Sequence, residues 1–93
     1  MYKFKKYHIP DRMMPSIHNY IQYGVEPGSF LSAIIRNDLT YAVLSADEEN
    51  MDNIPAFVSY FHEKAPAICW GNAEIMDIWI ESHRKKREEG LCP

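Results

Sequence analysis

"YGVEPGSFLSAIIRNDL", residues 23 to 39, decides how the chain folds. Gly24 stands where a glycine closes a preceding helix in the left-handed conformation. Pro27 suits the beginning of a helix, Gly28 relieves crowding there, and Ser29 is placed to cap it by accepting a backbone N–H. Phe30, Leu31, Ile34 and Ile35 then recur at helical spacing, which predicts a helix over about 28 to 36 with one buried stripe. Asn37 tolerates the left-handed conformation that ends it, and Asp38 is placed to cap the next helix, whose stripe is Leu39, Ala42, Val43 and Ala46. Two tight helical corners account for most of the stretch. The other reading of the same residues is a loop that cradles a ligand.

Outward from this centre the helical period continues. Met14, Ile17 and Ile21, with Tyr20 beside them, predict a first helix over about 13 to 23, with Pro15 confined to its first turn. After the polar turn "ADEENMDN", Asp52 or Asn53 is expected to cap a helix carrying Ile54, Phe57, Val58 and Phe61, with Pro55 in its first turn. Pro66 follows its end. Beyond "PAICWG", Asn72 caps a last helix in which Ile75, Met76, Ile78, Trp79 and Ile80 surround most of the circumference, before the polar "HRKKREEG". The first residues, "MYKFK", alternate with a period of two that suits a short strand or an extended arm.

The expected fold is therefore all-α, a compact bundle of four to five short helices in one domain over residues 1–93. Its core spans about 10–82, with a basic N-terminal arm over 1–9 and a charged helix extension over 83–93. Ile17, Ile21, Phe30, Ile34, Leu39, Val43, Phe57, Phe61, Ile75 and Trp79 are expected to be buried. A last helix apolar on nearly every side is more than a monomer of this size usually exposes, so a homo-oligomer, a dimer or larger, is expected.

Composition agrees with a globular domain: 93 residues, 46% hydrophobic and 13% aromatic. No apolar run nears the roughly 18 residues that span a bilayer, and the N-terminus lacks the apolar centre of a signal peptide, so a cytoplasmic protein with no membrane partner is expected. Cys69 and Cys92 form no disulfide framework and no metal pair; Cys69 reads as a small buried residue and Cys92 as a tail thiol. The net charge of −3 conceals an asymmetry. Over residues 13–83 only Arg36 and Lys64 stand against ten carboxylates, a net of −8, while Lys3, Lys5, Lys6 and Arg12 lie before them and Arg84 to Arg87 after. Duplex DNA binding needs a continuous cationic face, which argues against such a role for the core.

Catalytic signals are weak. His8, His18, His62 and His83 share no metal-ligand spacing, no serine sits in a nucleophile motif, and no P-loop or dinucleotide fingerprint is present. No cofactor and no metal is implied, and a small hydrolase or nucleotide-modifying enzyme ranks third among the functional readings. Asp47, Glu48 and Glu49 offer hard oxygen ligands without the spacing of a calcium loop. As a surface they read as an acidic face for docking on a basic protein. Tyr20 and Tyr23 end the first helix beside the loop of Gly28 and Ser29, and Trp70 sits on a turn between Pro66 and Gly71. With Arg36 as the central cation, these six residues are the candidate contacts of a planar, anionic, nucleotide-like ligand.

The order "PGSFL", "NDL", "AD..N" and "AP..CWG" resembles a family of small proteins carried by tailed phages and prophages, over roughly residues 9 to 80. The resemblance carries no functional residues. It implies a genetic setting, a phage accessory protein in the cytoplasm of an infected bacterium, and hence a non-catalytic protein that sequesters or inhibits a host factor. The leading expectation is a counter-defence protein that binds a nucleotide-derived immune signal; the alternative is an inhibitor docking its acidic face on a host defence enzyme.

Overall fold

The computed structural model describes the backbone of residues 1–90 and the side chains of residues 1–88; Cys92 and the end of the charged extension lie outside them. Two strands, β1 (Lys3–Phe4) and β2 (Tyr7–His8), form an antiparallel hairpin with Phe4 opposite Tyr7. Lys5 turns it with a positive φ of 55°. A 3-10 turn at Asp11–Met13 leads into six helices among the described residues: α1 (Met14–Tyr23), α2 (Ser29–Ile35), α3 (Leu39–Ser45), α4 (Glu48–Asp52), α5 (Ile54–Lys64) and α6 (Ala73–Gly90). The chain is an all-α bundle with a short N-terminal hairpin.

The helix ends follow from local chemistry. Gly24 closes α1 at φ 64°, and its N–H reaches the Tyr20 carbonyl at 2.9 Å. Asn37 takes φ 61° after α2, and the Asp38 carboxylate accepts the Tyr41 N–H at 3.1 Å to cap α3. Asn72 caps α6 in the same way through the Ile75 N–H at 2.8 Å.

Ser29 does not cap α2. Gly28 occupies the cap position with extended backbone and Ser29 is already helical, so its hydroxyl has no early N–H in reach. Nor is "ADEENMDN" only a polar turn. Asp47 accepts the Asn50 N–H at 2.8 Å and Glu48 and Glu49 occupy the positive end of the new helix, which stabilises α4. Asn53 precedes α5 without capping it, because its side chain is committed elsewhere: Oδ1 accepts the His8 N–H and Nδ2 donates to the Glu49 carbonyl.

The core gathers Ile9, Ile17, Tyr20, Ile35, Phe57, Phe61, Cys69 and Met76, all fully buried. Phe30 meets Phe57 edge-on at 5.0 Å between ring centres and thereby joins α2 to α5. Of the residues expected inside, Ile17, Phe30, Ile34, Phe57 and Phe61 are buried, while Ile21, Ile75 and Trp79 are half-buried. Leu39 and Val43 are not buried. They remain 66% and 38% exposed: Ala42 is the residue of α3 buried in the core, and Leu39 and Val43 lie to one side of it on the helix. The last helix is covered better than its sequence suggests. Met76 is buried and Trp79 and Ile80 pack on the core, which leaves Ile78 facing outward.

Helix α6 is anchored on the end of α1. Trp79 Nε1 donates to the Tyr20 carbonyl at 2.9 Å, the Arg87 guanidinium donates to the Tyr23 carbonyl, and His83 packs against Gly24 and the Trp79 ring. Burial of the His83 imidazole, reinforced by the cations Lys86 and Arg87, lowers its proton affinity below the ordinary histidine range. The folded chain therefore holds this proton more weakly than the unfolded chain. The contact contributes fully while the ring is neutral and is lost as the pH falls through the imidazole range. Thermal melting is expected to shift downward between neutral pH and about pH 5, and the shift should be smaller in His83→Gln.

Candidate functional site

The six residues expected to cradle a nucleotide-like ligand do not converge on one cavity. Tyr20 is fully buried and its hydroxyl donates to the Cys69 carbonyl at 2.6 Å, with desolvation pushing the phenol's pKa upward. Its own carbonyl receives Trp79 and Gly24. Tyr20 thus ties α1 to the 3-10 turn at Ala67–Cys69 and to α6, a structural duty that consumes its polar atoms. Tyr23, the last residue of α1, is exposed.

Gly28 and Ser29 lie exposed at the start of α2, whereas Arg36 lies at its end. Seven helical residues separate the two by about 10 Å. What the fold does bring together is Arg36 and the aromatic turn. The Gly71 N–H donates to the Ile35 carbonyl at 2.7 Å, which seats the chain after Trp70 beside the end of α2. Trp70 packs on Phe61 at 5.9 Å, half-buried. Arg36 Nε is buried without a hydrogen-bond partner among the described residues. Cys69, in the same turn, is fully buried, and desolvation pushes its thiol up to about 11, so it is a packing residue and no nucleophile.

The acidic cluster divides differently from its sequence order. Arg12 reaches Asp47 at 2.9 Å and Glu49 at 3.1 Å, and His8 Nε2 lies 3.8 Å from Glu49. The Asn50 N–H, and after it Arg12, hold the Asp47 carboxyl below its ordinary range. Two of the three carboxylates are therefore partly neutralised by the N-terminal segment. Glu48 and Asp52 pair with no cation among the described residues. These two line a shallow depression with Ala46, Asp47 and Met51.

The apolar feature beside this depression was missed by the sequence reading. Helix α3, Leu-Thr-Tyr-Ala-Val-Leu-Ser, carries large apolar side chains around most of its circumference, and only Ala42 of it is buried. Opposite Ala42 it presents Leu44, 75% exposed, and beside it Tyr41, 47% exposed. A helix hydrophobic all round is ordinarily enclosed by other structure. The signal was present in the residues Tyr41 and Leu44, which the helical stripe of Leu39, Ala42, Val43 and Ala46 leaves on the far side.

Among the described residues no three His, Cys, Asp or Glu side chains gather as a metal centre. No helix among them is long and apolar enough to cross a membrane. Comparison with family models, with curated proteins and with solved structures finds no match.

Proposed function

We propose that this chain is a small non-catalytic binding protein that sequesters or inhibits a host protein by inserting the outer face of α3 into an apolar groove of that partner. The observation that carries this reading is the exposure of Leu44 and Tyr41 on the side of α3 turned away from the buried Ala42. Helix-in-groove recognition needs apolar anchors on one helical face, and Tyr41 and Leu44, three residues apart, supply them. Glu48 and Asp52 at one rim select a groove flanked by basic residues. The setting implied by the phage-protein resemblance makes a host defence enzyme a suitable partner, in the bacterial cytoplasm.

Leu44→Asp places a charge in the buried centre of such an interface while leaving the fold untouched, since the side chain is three-quarters exposed. Inhibition of the host factor, read as protection of infecting phage, is expected to fall by two orders of magnitude or more with the melting temperature unchanged. Full protection by a folded Leu44→Asp protein contradicts the reading. Glu48→Lys should weaken binding more modestly, and more so at low salt.

A second reading, capture of a nucleotide-derived immune signal, is supported by one observation, the buried Arg36 Nε with no partner beside the Trp70 turn. A thermal-shift screen against linear and cyclic nucleotides separates the two, because a ligand bound only by the folded state raises the melting temperature. A shift abolished by Arg36→Gln, with Leu44→Asp still fully protective, replaces the first reading by the second.

A further inference from the structure

We infer that Asn53 is the positioning residue of the proposed host-binding face: it fixes α4, and with it the rim carboxylates Glu48 and Asp52, against the hairpin and α5. The inference rests on the helix-in-groove reading above. Helix α4 has five residues, too few to persist by backbone hydrogen bonding, and only Asn50 of it is buried. That residue anchors it poorly. Asn50 Nδ2 reaches the Met13 sulfur, a weak acceptor, at 3.7 Å, and Oδ1 has no hydrogen-bond partner among the described residues. The placement of α4 is therefore left to polar contacts near its ends.

At the junction with α5 those contacts converge on Asn53, which is 5% exposed. Its Oδ1 accepts the His8 N–H at 3.0 Å and its Nδ2 donates to the Glu49 carbonyl at 2.8 Å. The Asn53 backbone N–H donates to the Asn50 carbonyl at 3.1 Å, and the Asn53 carbonyl accepts the Ala56 N–H at 2.9 Å. One residue thus joins β2, α4 and the start of α5. The position demands an acceptor and a donor on one short planar head, which asparagine has and aspartate lacks. Asn53 also lines the furrow that Glu48 and Asp52 share with Tyr7 and His8. Those two carboxylates stand four residues apart on one face of α4, so they keep their bearing only while α4 keeps its own. At the other end Arg12 holds Asp47 and Glu49, but through ion pairs half-exposed to water, which constrain little. The buried hydrogen bonds of Asn53 are the firmer tie, because losing them strands polar groups away from solvent.

Nuclear magnetic resonance of the full chain carrying Asn53→Asp tests the placement without a partner. The substitution sets a carboxylate oxygen, in place of the donor, against the Glu49 carbonyl. Cα chemical shifts over 48–52 are expected to move toward random-coil values while those of α5 stay helical, and Arg12→Gln should leave both helices in place. In cells, Asn53→Asp is expected to reduce protection of infecting phage by about tenfold, the scale of losing a charged rim. In a chain already carrying Glu48→Gln and Asp52→Asn it should add less than about twofold, because it acts through those carboxylates. An unaltered α4, loss of α5 together with α4, or an Arg12→Gln chain that releases α4 as fully as Asn53→Asp overturns the inference. So does an equal loss of protection in both backgrounds, which would make the effect one of stability alone. A fully protective Leu44→Asp overturns the host-binding reading instead, and ordinary α4 shifts in that variant separate the result from a failure at Asn53.

Discussion

Phe57→Ala is expected to cost about 3 to 5 kcal/mol, the usual range for emptying an aromatic site in a core. Phe57 is fully buried and packs edge-on against Phe30, so it joins α2 to α5 within the single core cluster of the described residues. Neighbouring side chains have little freedom to refill the space: α2 is fastened at one end by the Gly71 N–H on Ile35 and at the other by Ser32 Oγ on the Pro27 carbonyl. Domains of this size have roughly 5 to 15 kcal/mol in total, near the lower end when a single small core supplies it. Equilibrium urea unfolding is expected to show the midpoint falling by half or more, while Val58→Ala, one residue further on and partly exposed, moves it only slightly. Equal effects at 57 and 58 would contradict the packing described here.

Gly24→Ala has the second largest expected effect, about 2 to 4 kcal/mol, from strained backbone and overpacking together. Gly24 holds φ 64°, which side chains seldom adopt, and a Cβ there would stand 2.5 Å from the Cβ of His83. Neither atom can rotate away, since each is fixed to its own backbone. The helices must separate, and with them go the Trp79 bond to Tyr20 and the Arg87 bond to Tyr23. Trp fluorescence and near-ultraviolet circular dichroism should report the release of Trp79 before the remainder of the bundle melts. An alanine variant as stable as the wild type, with unaltered Trp signals, would show that α6 does not depend on this close approach.

The helical architecture was legible because its punctuation is chemical and local. Gly24, Asn37, Asp38 and Asn72 each perform at a helix end the role that their backbone preference or side-chain oxygen predicts. A short strand or arm was legible as period-two alternation in the first residues, whereas the return strand Tyr7–His8 that makes it a hairpin, and its partner Asn53, 45 residues from His8, were not. Leu39 and Val43 were misplaced because the apolar period identifies a face without saying whether anything covers it. The tertiary packing, in which Ala42 is the buried residue of α3, decides that.

The site was less legible for a related reason. Tyr20, Arg36 and Trp70 look alike in sequence, as polar-tipped or aromatic residues near corners. The fold spends Tyr20 on Cys69 and Trp79, packs Trp70 on Phe61, and gives Arg36 Nε no hydrogen-bond partner among the described residues. In the acidic cluster, Arg12 lies 35 residues before Asp47, so its neutralisation of that face is a property of the tertiary structure.

The central claim is that another protein covers the outer face of α3, and site-specific photo-cross-linking in bacterial cells that express the chain tests it most directly. A photoreactive residue replaces Leu44, and in a parallel strain Ile68, which is 70% exposed and equally apolar but lies on the turn after α5. The account predicts one host protein cross-linked at position 44 and absent at 68, whose purified form then binds the wild type and loses that affinity to Leu44→Asp. Cross-linking that is absent at 44, or the same at both positions, would contradict it.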